Sequence, residues 1–135
     1  MNGKLIFQLS LFGLAMAIAT VFVIPSSIEP LFWLAIFIVC AHQIAVKARR
    51  RYFIHGFLTS LMNCVWITGI HFLLFDQYIT RHADEAQMMA QLNFPISQRT
   101  LMAAMGPVIG IISGVILGIF SVIASKLTPK RRKAA

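Results

Sequence analysis

Four long apolar stretches, almost free of charge, constrain this chain more than any other feature. A bilayer core about 30 Å thick takes about 20 helical residues at a rise near 1.5 Å each, and a stretch of that kind in a soluble protein would need a large core to hide it. The first runs from Leu5 to Ile24, broken only by Gln8, Ser10 and Thr20, and Pro25 closes it. The second, Leu31 to Val46, is short and borrows Ile28 and the stem of Lys47. The third runs from Phe53 to Phe75 and carries Asn63 near its centre. Its Leu, Ile, Phe and Val residues favour insertion by about 4 to 7 kcal/mol, which outweighs one central amide. The fourth occupies Pro107 to Ser125, with Ser97 to Met105 as a helical lead-in, so that Pro107 falls at a first turn or at a kink.

The predicted fold is therefore all-α: one integral membrane four-helix bundle spanning residues 1–135, with spans near 5–24, 29–47, 53–75 and 105–125. Composition agrees, because 12% charged residues cannot cover a chain that is 59% hydrophobic, whereas soluble domains carry about 25%. That hydrophobicity excludes a disordered chain, and two cysteines exclude a disulfide-stapled module. Cys40 and Cys64 read as small buried residues inside spans. Pro25 and Pro30 bracket a tight hairpin that makes spans one and two antiparallel neighbours. A signal peptide is the competing reading of the N-terminus, with Lys4 before the apolar run and Ala15-Met16-Ala17 or Ala17-Ile18-Ala19 as cleavage sites. The run passes both sites and continues to Ile24, which favours a span.

The net charge of +8 becomes informative once it is mapped on the loops. Lys4, Lys47, Arg49, Arg50, Arg51, Lys126, Lys130, Arg131, Arg132 and Lys133 fall on one side. All the acidic residues, Glu29, Asp76, Asp84 and Glu85, fall on the other with Arg81 and Arg99. Basic short loops stay in the cytoplasm, so both termini are expected inside. Trp33, Tyr52 and Tyr78 suit the interfacial belts. Arg49, Arg50, Arg51 and the tail Lys130, Arg131, Arg132, Lys133 are expected to attract anionic headgroups, at about 1 kcal/mol per basic residue. The tail lacks the interleaved aromatics that stack on bases, so nucleic acid is not an expected partner.

The outer segment, near 77–93, favours helix up to Leu92 and either prolongs the third span or breaks near Ala83-Asp84. Asn93-Phe94-Pro95 ends it, and Ser97 caps the next helix. Met88, Met89 and Leu92 give it an apolar edge, read first as packing over the outer mouth of the bundle.

Two constellations stand out. Gly106, Gly110, Gly114 and Gly118 recur every four residues in span four, a groove that lets another backbone approach, from the same chain or from a second protomer. His55, Thr59, Asn63 and His71 form a polar stripe on span three that should face the interior. Interhelical hydrogen bonding is its plainer meaning, and a lined path or small-ligand site the other. His82, Asp84 and Glu85 could collect a cation, but such residues on an exposed segment are more often simply solvated. No GxSxG, HExxH, Walker or dinucleotide motif is present and no carboxylate lies within a span, so neither an enzyme nor a bound cofactor or metal is expected.

The run Tyr52-Phe53-Ile54-His55-Gly56-Phe57, followed by Asn63, Trp66 and His71, then Asp76-Gln77-Tyr78 and Gly106-Pro107, resembles a family of small four-helix bacterial membrane proteins defined as a domain of unknown function. The resemblance implies four spans in a bacterial inner membrane and carries over no catalytic residue. Two functions are expected to compete: a scaffold or accessory subunit acting through helix packing, and a small oligomeric transporter or channel using the span-three stripe.

Overall fold

The computed structural model describes residues 1–129, and the tail residues Lys130 to Lys133 lie outside them. Among the described residues there are six helices and no strand: α1 Gly3–Phe22, α2 Glu29–Lys47, α3 Tyr52–Leu73, α4 Phe75–Arg81, α5 Ala83–Gln91 and α6 Gln98–Leu127. Of these, α1, α2, α3 and α6 are long and apolar enough to cross a membrane. Their outward faces carry bare apolar side chains such as Phe7, Ile38, Val65 and Ile112, surfaces that suit lipid and not water.

Local chemistry sets the helix ends. Ser97 caps α6 through a bond from the Thr100 N–H, as the sequence predicts, and Asn2 caps α1 through a bond from the Leu5 N–H. Pro30 sits in the first turn of α2, where its missing N–H costs little. Pro107 lies inside α6, a continuous helix of 30 residues. Arg51, just before α3, adopts a left-handed φ of 59°, and Asn93 after α5 one of 47°.

The centre is the antiparallel pair α3 and α6. Residues of α3 fill the glycine positions of α6 in reverse order: Thr68 lies on Gly106, Cys64 on Gly110, Phe57 on Gly114 and Phe53 on Gly118. The Ser60 and Ser113 hydroxyls bond across the same seam at 2.8 Å. The glycine groove is thus filled by a helix of the same chain. Helix α1 runs parallel to α3 on its other face, with Asn63 packed against Gly13 and the Trp66 indole N–H donating to Ser10 at 3.2 Å. Helix α2 lies mainly on α6, where the Phe37 and Phe120 rings meet edge to face.

This arrangement corrects one sequence expectation. The hairpin at Pro25–Pro30 makes α1 and α2 antiparallel, but they touch only weakly, because α1 follows the polar face of α3 and α2 follows α6. The main apolar core lies at the basic end, where Leu5, Leu9, Ile44, Ala48 and Leu117 close together. At the opposite end α4 packs on α1 and α3, and α5 on α6.

The segment after α3 takes the broken form of the two expected: it breaks at His82, next to the predicted Ala83-Asp84, and carries a further break at Leu74 that the sequence did not signal. At the His82 break the ring Nδ1 stands 3.0 Å from the Tyr78 carbonyl, which also accepts from the His82 backbone N–H at 3.1 Å.

Candidate functional site

At the end opposite the basic one, α2, α3, α4, α5 and α6 line a crevice of about 480 Å³. Ser60, Asn63 and Ser113 lie at its inner end, and Glu29, Tyr78 and Glu85 at its mouth. From His71 to Ser60 is eleven residues of α3, a depth of about 16 Å. Most of the wall is apolar, and Met88, Met89, Met102 and Met105 give part of it a flexible lining.

The mouth is organised by an aromatic stack from three places in the chain. The Tyr78 ring lies between His71, at 4.1 Å between centroids, and His82, at 4.0 Å. His82 is fully buried, and its Nε2 stands 3.4 Å from Glu29 Oε2, off the line of a hydrogen bond and a charge pair only when the imidazole carries both protons. Glu29 Oε1 accepts from the Trp33 indole at 3.1 Å, and Glu85 Oε2 accepts from Ser26 at 2.9 Å. Burial pushes the Tyr78 phenol above its usual pKa range, and Glu29 and Glu85 add to the shift by disfavouring a third negative charge. The expectation that His82, Asp84 and Glu85 share one solvated surface is therefore corrected: only Asp84 is exposed, while His82 is buried and Glu85 turns to the crevice.

The span-three stripe is buried throughout, but its members do different work. His55 is fully engaged: its Nδ1 donates to the Arg51 carbonyl at 2.9 Å, and its Nε2 accepts from the Asn2 N–H at 3.0 Å. That fastens the start of α1 to the start of α3. Thr20 donates its hydroxyl to the Met16 carbonyl at 2.9 Å, so the 2.8 Å contact with His71 is a bond from His71 Nε2–H to the Thr20 oxygen. These two histidines join helices. The Thr59 hydroxyl and both amide atoms of Asn63 have no hydrogen-bond partner among the described residues, although Asn63 is only 2% exposed.

The crevice brings together Asn63 and His71 from the stripe with Gly106 and Gly110 from the glycine face. Thr59, His55, Gly114 and Gly118 do not line it. Arg49, Arg50 and Arg51 are exposed at the far, basic end. Sequence reasoning missed the mouth group Glu29, Tyr78 and His82. Its traces in the sequence are two i,i+4 pairs, Glu29 with Trp33 and Tyr78 with His82, but nothing local joins them. Among the described residues no three His, Cys, Asp or Glu side chains converge as a metal site. No family model, curated protein or solved structure matches the chain.

Proposed function

We propose that this chain is a non-enzymatic four-span helical bundle of the bacterial inner membrane, with both termini cytoplasmic, that binds a small amphiphilic molecule in its outer crevice. The observation that carries the reading is the crevice itself. Its volume of about 480 Å³ falls within the span of small-molecule sites, and it combines apolar walls with a few polar groups, among them a buried unpaired amide at Asn63. One-sided basic charge supports the orientation, and the exposed Arg49, Arg50 and Arg51 support contact with anionic headgroups. The resemblance carried by the Tyr52 to Phe57 run supports the bacterial membrane.

The test is saturable binding of the neutral dye Nile red to the protein in nanodiscs, with empty nanodiscs subtracted. Met102→Trp, which places an indole in the crevice from α6, should abolish it while helicity and elution volume stay unchanged. Binding that survives this substitution would remove the crevice from the reading.

A scaffold or accessory-subunit role is the second reading. Its support is the exposed apolar side chains Met88, Leu92 and Phe94 on the outer segment. Leu92→Asp together with Phe94→Asp should then release a partner that co-purifies in mild detergent. The glycine face of α6 adds no support, because Cys64 and Phe57 of the same chain lie on Gly110 and Gly114. An oligomeric channel along the span-three stripe draws less support, since His55 and His71 are engaged with α1 or its N-terminal cap.

A further inference from the structure

The mouth of the crevice has a definite charge character. Two carboxylates line it, Glu29 and Glu85, and among the described residues no lysine or arginine does. Of the two outer arginines, Arg99 is held 3.4 Å from Asp76 and lies over the Phe72 and Phe75 rings, at 5.8 and 5.4 Å from their centroids. Arg81 is exposed and not part of the crevice wall. Among the described residues, Glu29 and Glu85 accept hydrogen bonds from neutral donors, the Trp33 indole and the Ser26 hydroxyl, which orient the carboxylates without cancelling their charge. Among the described residues, only the His82 imidazole stands near Glu29 as a potential countercharge.

A second observation lies at the other end. Asn63 lines the inner end of the crevice, is buried with its amide oxygen against Gly13 of α1, and has neither its N–H donors nor its carbonyl acceptor paired among the described residues. A buried amide left dry and unpaired is costly, so its position favours a ligand that carries a hydrogen-bonding group. Eight residues of α3 separate it from His71 at the mouth, about 12 Å along the helix. Apolar and methionine side chains line the wall between these polar ends, where an alkyl or aryl body gains by leaving water.

We propose that the crevice is selective for hydrophobic cations: an ammonium or comparable positive group held between Glu29 and Glu85, an apolar body against the walls, and a polar group reaching Asn63. The proposal rests on the crevice being a binding site and adds the charge of what it binds. A bulky cation lacking the far polar group should still bind through the mouth and the walls.

Tetraphenylphosphonium and tetraphenylborate make the test, because they share size and shape and differ in sign. Radiolabelled tetraphenylphosphonium is titrated against the protein in nanodiscs, with empty nanodiscs subtracted, and tetraphenylborate is offered as competitor. The expected result is saturable binding near one cation per chain, weakened about tenfold or more by Glu29→Gln with Glu85→Gln. Asp84→Lys changes the net charge by the same two units away from the crevice and should alter affinity less than about twofold. Helicity and elution volume establish that each variant folds.

If the double glutamine variant binds the cation as tightly as the parent, or tetraphenylborate displaces it at equal concentration, charge selection is refuted. The crevice reading would then survive on Nile red alone. If neither the cation nor Nile red binds saturably, both fall together.

Discussion

A methyl carbon placed on Gly56 would stand 2.6 Å from the carbonyl oxygen of Leu117, so α3 and α6 meet there with no room for a side chain. Backbone cannot retreat as a flexible side chain can. Gly56→Ala should therefore destabilise the protein by about 1 to 3 kcal/mol, the range for overpacking a tight contact. Gly69, on the same helix, has nothing within 4 Å of the added carbon. Gly69→Ala should instead stabilise by about 0.5 to 1 kcal/mol through the unfolded chain and helix propensity. Denaturant unfolding in matched micelles, followed by circular dichroism, checks both signs.

The bond from His71 to Thr20 joins α3 to α1 at the outer end. Thr20→Val keeps the shape but leaves the His71 N–H unpaired in a buried position. A loss of about 1 to 2 kcal/mol is expected, above the average for interhelical bonds because a donor is stranded. A Thr20→Ser variant, which keeps the hydroxyl, should recover much of it in the same unfolding experiment.

Tyr78 predicts a response to alkali. Its phenol is 8% exposed and has a folded-state pKa raised by burial first and by Glu29 and Glu85 second. Below the ordinary value near 10 both states hold the proton and the contribution is intact. As pH rises past that value the unfolded chain ionises first, so stability drains away until the raised folded-state pKa is passed. Thermal unfolding across this range should be less steep for Tyr78→Phe, by up to about 1.4 kcal/mol per pH unit. Equal slopes for the two proteins would contradict it.

Arg51 holds a left-handed backbone, with φ 59° and ψ 43°, at the start of α3, and its carbonyl accepts from the His55 ring. An L-residue bears about 1 to 2 kcal/mol of strain there, which glycine does not. Arg51→Gly should raise stability by about 1 kcal/mol. Arg51→Ala retains the strain and should give no comparable gain. Comparing midpoints of the two variants separates backbone relief from loss of charge.

Much of the architecture was legible from local pattern. Length and hydropathy marked the four long helices to within a few residues, with α6 extended at its start through the Ser97 cap. Four-residue spacing marked the glycine face and the polar stripe, because such residues share a side of any helix. Spacing did not say what fills each face. Nor did it reveal that His82 is buried: residues around it favour helix, yet the chain turns there as its ring stacks on Tyr78 and approaches Glu29.

The sequence by itself determined which segments are helical and apolar, and on which loops the charges fall, because these follow from composition along one strand of chain. Only the tertiary structure decided that α3 closes the glycine groove, that α1 takes the stripe's histidines, and that Glu29, His71, Tyr78 and His82 share one mouth. Those outcomes depend on how helices far apart in sequence pack. Glycines permit close approach without choosing the partner, and a buried polar atom has to find its bond wherever the packing supplies one.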